Sequence, residues 1–222
     1  MPSQLVLPLD AKISMSRADF IAGPANAQAL AFIDAWPDWP VAAAVLYGPP
    51  GSGKTHLVSA WRERSGADIV SAKSLNEMDR AKPIAVEDVD SSEASSARDT
   101  ILFALIEGAS RERPVLLTGH EPPAAWATAL PDLASRFSAM LAFPLWAPDE
   151  GLLAELARKL FADRQLIVPD QVIRRMILSL ERTPAAIRQF VAEADAKALA
   201  EGRAINLSLV RELIGERESG LP

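Results

Sequence analysis

Cysteine is absent from the 222 residues, and only two histidines, His56 and His120, are present. Without thiols the chain forms no disulfide, does no thiolate chemistry and offers no cysteine ligand to a metal. Two imidazoles do not make a histidine-rich metal centre. Long apolar runs are missing too: none approaches the roughly 18 residues a membrane span requires. The opening Met1-Pro2-Ser3-Gln4 has no basic stretch leading into an apolar core, so no secretory leader is expected. Basic charge is also scarce. Twenty-three Lys and Arg face 29 Asp and Glu, a formal net charge of −6. Duplex binding draws most of its affinity from cations that neutralise phosphates. Sequence-specific DNA binding is therefore not expected, protein partners are, and the compartment reads as cytoplasmic with no membrane association.

What is present is an ordinary globular composition, 49% apolar and 23% charged, in a length that supports one core and a small second one. Three zones follow one another. Residues 1–12 form a proline-containing tail without helical period. Residues 13–146 alternate short apolar runs with helical stretches. The strand expectations are Val41–Tyr47, Asp68–Ser71, Pro83–Glu87, Val115–Thr118 and Met140–Phe143, with helices near 54–64 and 93–108. Such alternation predicts a parallel sheet with crossover helices. In residues 147–222 the strand signals stop. Four apolar helical stripes remain, around Leu153, Ile173, Ile187 and Leu209, and predict a small all-helical domain. Thr183-Pro184 is a start signal for the third of them, a capping hydroxyl before a proline at the first helical position.

Gly48-Pro49-Pro50-Gly51-Ser52-Gly53-Lys54-Thr55 fits G-x-x-x-x-G-K-[S/T] between an apolar strand and a helix. Glycines let backbone N–H groups turn inward around phosphates, and the helix N-terminus adds its positive dipole end. Lys54 is expected to reach the β- and γ-phosphates and the Thr55 hydroxyl to ligate Mg²⁺. His56 is counted with the loop, although packing or capping explains it as well. A chance glycine-rich turn is the alternative, and the flanking strand and helix argue against it.

Loops of this kind hold Mg²⁺ with help from an acid at the end of a neighbouring apolar strand. Ile84-Ala85-Val86-Glu87-Asp88 supplies two: Glu87 for the metal position, Asp88 for the acid that activates water. A plain pair of acids capping a strand is the competing reading. A glutamate where an aspartate is usual weakens the expectation of turnover more than that of binding.

Leu46-Tyr47-Gly48 followed by Gly53-Lys54-Thr55-His56-Leu57 resembles the AAA+ domain of the DnaA family of replication initiators. Upstream, Asp19-Phe20-Ile21-Ala22-Gly23-Pro24-Ala25-Asn26 is similar to the family segment lining the adenine pocket. Gly202-Arg203-Ala204-Ile205 and Val210-Arg211-Glu212 resemble the closing part of its helical lid. The likeness covers roughly residues 19–214. It implies an α/β fold, the AAA+ P-loop NTPase architecture: a parallel-sheet core (13–146) and a small helical lid (147–222), with ADP or ATP and Mg²⁺ as cofactors. The family's DNA-binding helix-turn-helix has no counterpart within these residues.

Gln4-Leu5-Val6-Leu7-Pro8-Leu9 is similar to the Q-L-x-L-P-L peptide that docks into the DNA polymerase III sliding clamp, its β subunit. A proline-restrained extended segment gives up little entropy on binding. Leu5, Leu7, Pro8 and Leu9 can fill an apolar groove while Gln4 anchors. A tail folded back on the domain is the alternative. DnaA-like body and clamp peptide together resemble the Hda family of DnaA-related regulators. That resemblance implies ADP as working ligand, weak intrinsic ATPase, stimulation of hydrolysis of DnaA-bound ATP, and negative regulation of replication initiation; a homodimer is compatible with it.

Leu130-Pro131-Asp132-Leu133-Ala134-Ser135-Arg136-Phe137 looks like the family segment carrying an arginine finger, which makes Arg136 a catalytic candidate acting on a neighbour's nucleotide. The competing reading pairs Arg136 with Asp132, four residues earlier. The family's lid arginine would fall near Ala185, so Arg188, one turn later, either substitutes or the sensor is missing. His120 stands where the family commonly has a strand-end aspartate. Other open readings are an autonomous AAA+ ATPase, such as a helicase loader or clamp-loader-like subunit, and, less consistent with a helical extension, a small-molecule kinase. The five tryptophans read as packing.

Overall fold

The structure is a computed structural model and describes residues 15–75, 79, 81–91 and 93–219. The tail with Gln4, Leu5, Leu7, Pro8 and Leu9 lies outside the described residues.

Five strands, β1 (Ala43–Tyr47), β2 (Asp68–Ser71), β3 (Ile84–Glu87), β4 (Val115–Gly119) and β5 (Leu141–Pro144), form one sheet. Its order is β2-β3-β4-β1-β5 and every pairing is parallel. All five match expected strands within two residues at either end. Register places Tyr47 beside both Gly119 and Pro144, so the C-terminal ends of β1, β4 and β5 meet along one edge, where parallel α/β sheets keep their ligand crevice.

Strand alternation sorts the core into two faces. Ala44, Leu46, Ala85 and Leu116 join α1 (Ala27–Asp34) and α2 (Lys54–Ser65) on one side. Val45, Val86, Val115 and Leu117 join α3 (Ser96–Glu107) and α4 (Pro131–Ala139) on the other. The first face is fixed by rings: Trp39 stacks on Trp61 at 5.0 Å and on Phe32 at 4.3 Å, and Phe32 on Phe143 at 4.4 Å. Each such pair adds about 0.5–1.5 kcal/mol beyond area burial. Four tryptophans therefore pack as the sequence predicts, whereas Trp146 is 59% exposed. Helix α1 was not expected. It is a short element whose Ala29, Leu30, Phe32 and Ile33 are buried under tertiary contacts.

Beyond β5 come α5 (Glu150–Ala162), α6 (Asp170–Ser179), α7 (Pro184–Glu201) and α8 (Leu207–Ser219), which enclose their own apolar cluster around Leu153, Met176, Phe190 and Val210. The Thr183 hydroxyl accepts the Ala186 N–H at 3.2 Å with Pro184 at the first position, as the sequence predicts. Among the described residues, no helix is long and apolar enough to cross a membrane.

Candidate nucleotide site

The loop after β1 is shaped by its glycines. Gly48, Gly51 and Gly53 have φ of 150°, 76° and 104°, in the half of φ space that side chains disfavour. At Gly48 a Cβ would also stand 1.9 Å from the Leu145 carbonyl oxygen, so nothing larger fits. Gly53 hands the chain into α2, whose first residue, Lys54, is buried. Its Nζ donates to the Gly48 and Pro49 carbonyls at 2.7 and 3.1 Å. Burial pushes the Lys54 pKa down, opposed by the carboxylates of Asp88, Asp90 and Glu87. Within this same loop, Ser52 Oγ is buried with no hydrogen-bond partner among the described residues.

A cavity of about 350 Å³ opens between this loop and α7. Its lining combines apolar side chains, Phe20, Ile21, Leu152 and Leu156, with the polar Lys54, Asp88 and His120. The loop residues Pro50, Gly51, Ser52, Gly53 and Thr55 border it, with His56, Ala185 and Arg188. Gly48 and Pro49 contribute as the carbonyls that seat Lys54. Apolar walls combined with a lysine and a glycine-rich loop suit a flat base carrying phosphates.

The apolar wall is fastened from three sides. Asn26, buried, accepts the Gly23 N–H and donates to the Ile21 carbonyl, both at 3.0 Å. His56 Nε2 donates to the Ser16 carbonyl at 2.7 Å, and its ring meets Phe20 edge-on at 5.2 Å. Lys159 of α5 binds Asp19 at 2.5 Å. The fastening roles of Asn26 and Ser16 went unread in the sequence, because their partners are carbonyls and amides with no residue signature. His56 makes these packing contacts while also bordering the cavity.

Asp88 lines the cavity; Glu87, which ends β3, does not, although its Oε1 is buried and unpartnered among the described residues. Asp88 has φ 53° and donates its N–H to Thr118 Oγ1 at 3.1 Å, joining the ends of β3 and β4. Behind it, Asp99 and Arg98 form a buried pair at 2.8 Å. Arg98 also donates to the Val89 and Ala127 carbonyls; Asp99 accepts from the Thr128 hydroxyl and Ala129 N–H. Burial raises the Asp99 pKa, but these donors outweigh it and hold the carboxyl below its ordinary range. No group of three or more His, Asp or Glu that could cage a metal forms among the described residues. Mg²⁺ fits here only as an ion sharing its ligands with phosphate and water, for which Thr55 and Asp88 border the cavity, while the orphaned Glu87 oxygen lies outside its lining.

From the other side Arg188 reaches the cavity with no hydrogen-bond or ion-pair partner among the described residues, and burial pushes its pKa down from the ordinary arginine value. An unpaired guanidinium in a half-buried cleft is an anion site. Arg136 is elsewhere: it does not border the cavity, and it pairs with Glu107 of α3 at 2.7 Å rather than with Asp132.

Comparison with protein-family models and with curated proteins gave no match to this chain. Solved structures share its fold. Domain III of the Thermotoga maritima replication initiation protein DnaA aligns over 91% of this chain and 96% of its own, at 17% identity and TM-score 0.75. AMPPCP-bound DnaA from Aquifex aeolicus aligns over 82% of this chain and 65% of its own, at 18% and 0.72. The Thermotoga maritima RuvB Holliday junction branch migration motor aligns over 90% of this chain and 70% of its own, at 15% and 0.67. The fold is thus the DnaA-like AAA+ fold, with a helical C-terminal portion.

Proposed function

We propose that this chain binds an adenine nucleotide with Mg²⁺ in the cavity between the 48–55 loop and α7, and acts as a regulator of replication initiation. The observation that carries the binding half is the convergence on one partly apolar cleft of Lys54, the left-handed Gly51 and Gly53, and Arg188, which has no hydrogen-bond or ion-pair partner among the described residues. The base would lie against Phe20 and Ile21, and the phosphates would take the loop amides, Lys54 and Arg188. Mg²⁺, shared with the phosphates, would neutralise their charge, with Thr55 and the carboxylates at 87 and 88 supplying the protein ligands. Residues 13–146 would form the nucleotide core and 147–222 the lid closing over it.

The regulatory half rests on sequence resemblance and on Arg136. Gln4–Leu9 would dock on the DNA polymerase III sliding clamp. Arg136, exposed and remote from its own cavity, would serve nucleotide held by DnaA, with ADP as this chain's working ligand. Among the described residues Arg136 is held by an exposed pair with Glu107, 52% and 42% accessible, which costs little to exchange for a phosphate. The test is a reconstituted DnaA ATPase assay with DNA-loaded clamp. Arg136→Ala is expected to lose the stimulation while still binding clamp, and Gln4→Ala/Leu5→Ala to lose clamp binding; an Arg136→Ala protein that stimulates fully removes the finger role.

A second reading, an autonomous AAA+ ATPase such as a helicase loader, is favoured by one feature: Asp88 borders the cavity alongside Lys54. It requires sustained phosphate release by the purified chain alone, and near-zero turnover eliminates it.

A further inference from the structure

Helix α4 starts without a capping side chain. Leu130 precedes it at the cap position with no side-chain hydrogen bond, and Pro131 is its first residue. The start is held instead from α3. Asp99, buried, divides its carboxylate: Oδ1 takes Arg98 Nε at 2.8 Å, and Oδ2 accepts the Thr128 hydroxyl at 2.8 Å and the Ala129 N–H at 2.6 Å. Thr128 Oγ1 passes the hold on by accepting the Leu130 N–H at 3.1 Å. Arg98, also buried, donates to the Ala127 carbonyl at 2.8 Å and the Val89 carbonyl at 3.3 Å. Residues 127–130 are therefore gripped one after another ahead of α4. Val89 follows Asp88, which borders the cavity. Asp90 joins the same two turns by accepting the His120 and Glu121 N–H groups at 2.6 and 2.8 Å.

A buried ion pair is a poor source of net stability, because desolvation offsets most of its attraction. What it supplies is one defined geometry, and the geometry here belongs to α4. Leu133 and Phe137 pack that helix into the core, with Phe137 edge-on to Trp126 at 5.0 Å. Apolar contacts are non-directional and do not fix a helix along its axis as a hydrogen bond does. Arg136 stands on the exposed side of the helix. We propose that Asp99 is a positioning residue for Arg136: with Arg98 and Thr128 it fixes where α4 begins, and so where the guanidinium stands. This inference rests on the finger reading of Arg136 above and names what holds the finger in place.

Substitution of Thr128 separates this role from a merely structural one. Thr128→Val removes the hydroxyl and keeps the volume, so Asp99 loses one donor and the Leu130 N–H its acceptor, with no charge left unpaired. Thr128→Ser keeps both bonds. A guanidinium displaced by about an ångström from a reacting phosphate loses rate steeply. In the reconstituted DnaA ATPase assay with DNA-loaded clamp, Thr128→Val is expected to lower the maximal stimulated rate about tenfold. The chain concentration that gives half of the maximum should stay as in wild type, and Thr128→Ser should keep the full rate. In an Arg136→Ala background Thr128→Val should add nothing, because both changes act on one group.

Hydrogen exchange of the full-length chain alone gives a reading that does not depend on the finger. Amides of residues 127–139 should exchange about fivefold faster in Thr128→Val than in wild type or Thr128→Ser, as loss of one hydrogen bond provides. Helices α1 and α2 should be unchanged. Exchange in 127–139 that stays at the wild-type rate overturns the proposal. So does a Thr128→Val protein that stimulates fully where Arg136→Ala does not. Faster exchange spread over α1 and α2 makes the hydroxyl a matter of general stability and overturns it as well. Exchange as expected, with an Arg136→Ala protein that stimulates fully, instead overturns the finger reading and with it the purpose assigned to Asp99.

Discussion

The loop at 48–55 and the strand ends facing it across the cavity hold their groups in place by different means. The loop is positioned by backbone: three glycines in left-handed φ, one pressed against the Leu145 carbonyl, and Lys54 seated on two carbonyls eight residues or fewer away in sequence. The facing end is positioned by side chains that cross about 30 residues, Asp90 to His120 and Glu121, Asp88 to Thr118, Asp99 to Thr128 and Ala129. A backbone-built site tolerates no added volume, whereas a side-chain-built one can be retuned by exchanging a hydrogen-bond partner. On the proposed reading, the groups that would hold the phosphates sit on the first, and the acids that would share Mg²⁺ sit on the second.

The largest effect should come from breaking the backbone side. Gly48→Ala places a methyl where 1.9 Å separates it from a carbonyl oxygen, and should cost about 4 kcal/mol or more in urea unfolding. Gly66→Ala, also left-handed (φ 68°) but with nothing within 4 Å, should cost only about 1 kcal/mol. Equal costs at both positions would show that strain in φ alone, not the close approach, shapes the loop. On the opposite side, Asp99→Ala leaves Arg98 buried without its carboxylate and should cost about 3–5 kcal/mol by the same measurement. A loss under about 1 kcal/mol would mean the far end is held by packing instead.

Cation removal sharpens the contrast further. Lys54→Ala should lower nucleotide affinity about 100-fold and Arg188→Ala about tenfold in calorimetric titration. Arg188→Ala should leave the thermal midpoint unchanged, since its guanidinium has no hydrogen-bond or ion-pair partner to lose among the described residues, whereas Lys54→Ala should lower it slightly through the two carbonyl bonds it gives up. The smallest effect is in pH. Burial, with a smaller contribution from Arg188, holds the His56 pKa below the ordinary histidine value against its bond to the Ser16 carbonyl. On acidification the unfolded chain therefore takes up its proton first. The stability His56 contributes is full above its unfolded value of about 6.5 and declines as pH falls through the lower folded one. A His56→Gln chain should lose less thermal midpoint than wild type over that interval.

The same division explains what could be read from residues alone. Strands alternate with apolar patterns, and a glycine-lysine-threonine loop announces its geometry in its own spacing, so the sheet, the four C-terminal helices and Gly48 to Thr55 were legible. Helix α1 was not, because eight residues with little polar alternation become helical only when Phe32 and Trp39 stack over the sheet. Asp90 passed as one acid among several, because its importance comes from two amides and a ring thirty positions away. Arg136 is a case between these: a pairing with Asp132 four residues earlier is open from the sequence, but its partner Glu107 belongs to another helix and left no local trace. The tail at 4–9 lies outside the described residues, and the proposal that it docks on the clamp rests on its motif alone.

The most direct measurement is calorimetric titration of the full-length chain with ADP and ATP, each with Mg²⁺, beside Lys54→Ala. Saturable one-site binding by the wild type, weakened about 100-fold in the variant, is the expected result. No heat from either nucleotide at millimolar concentration, with the wild-type chain folded, would contradict the account.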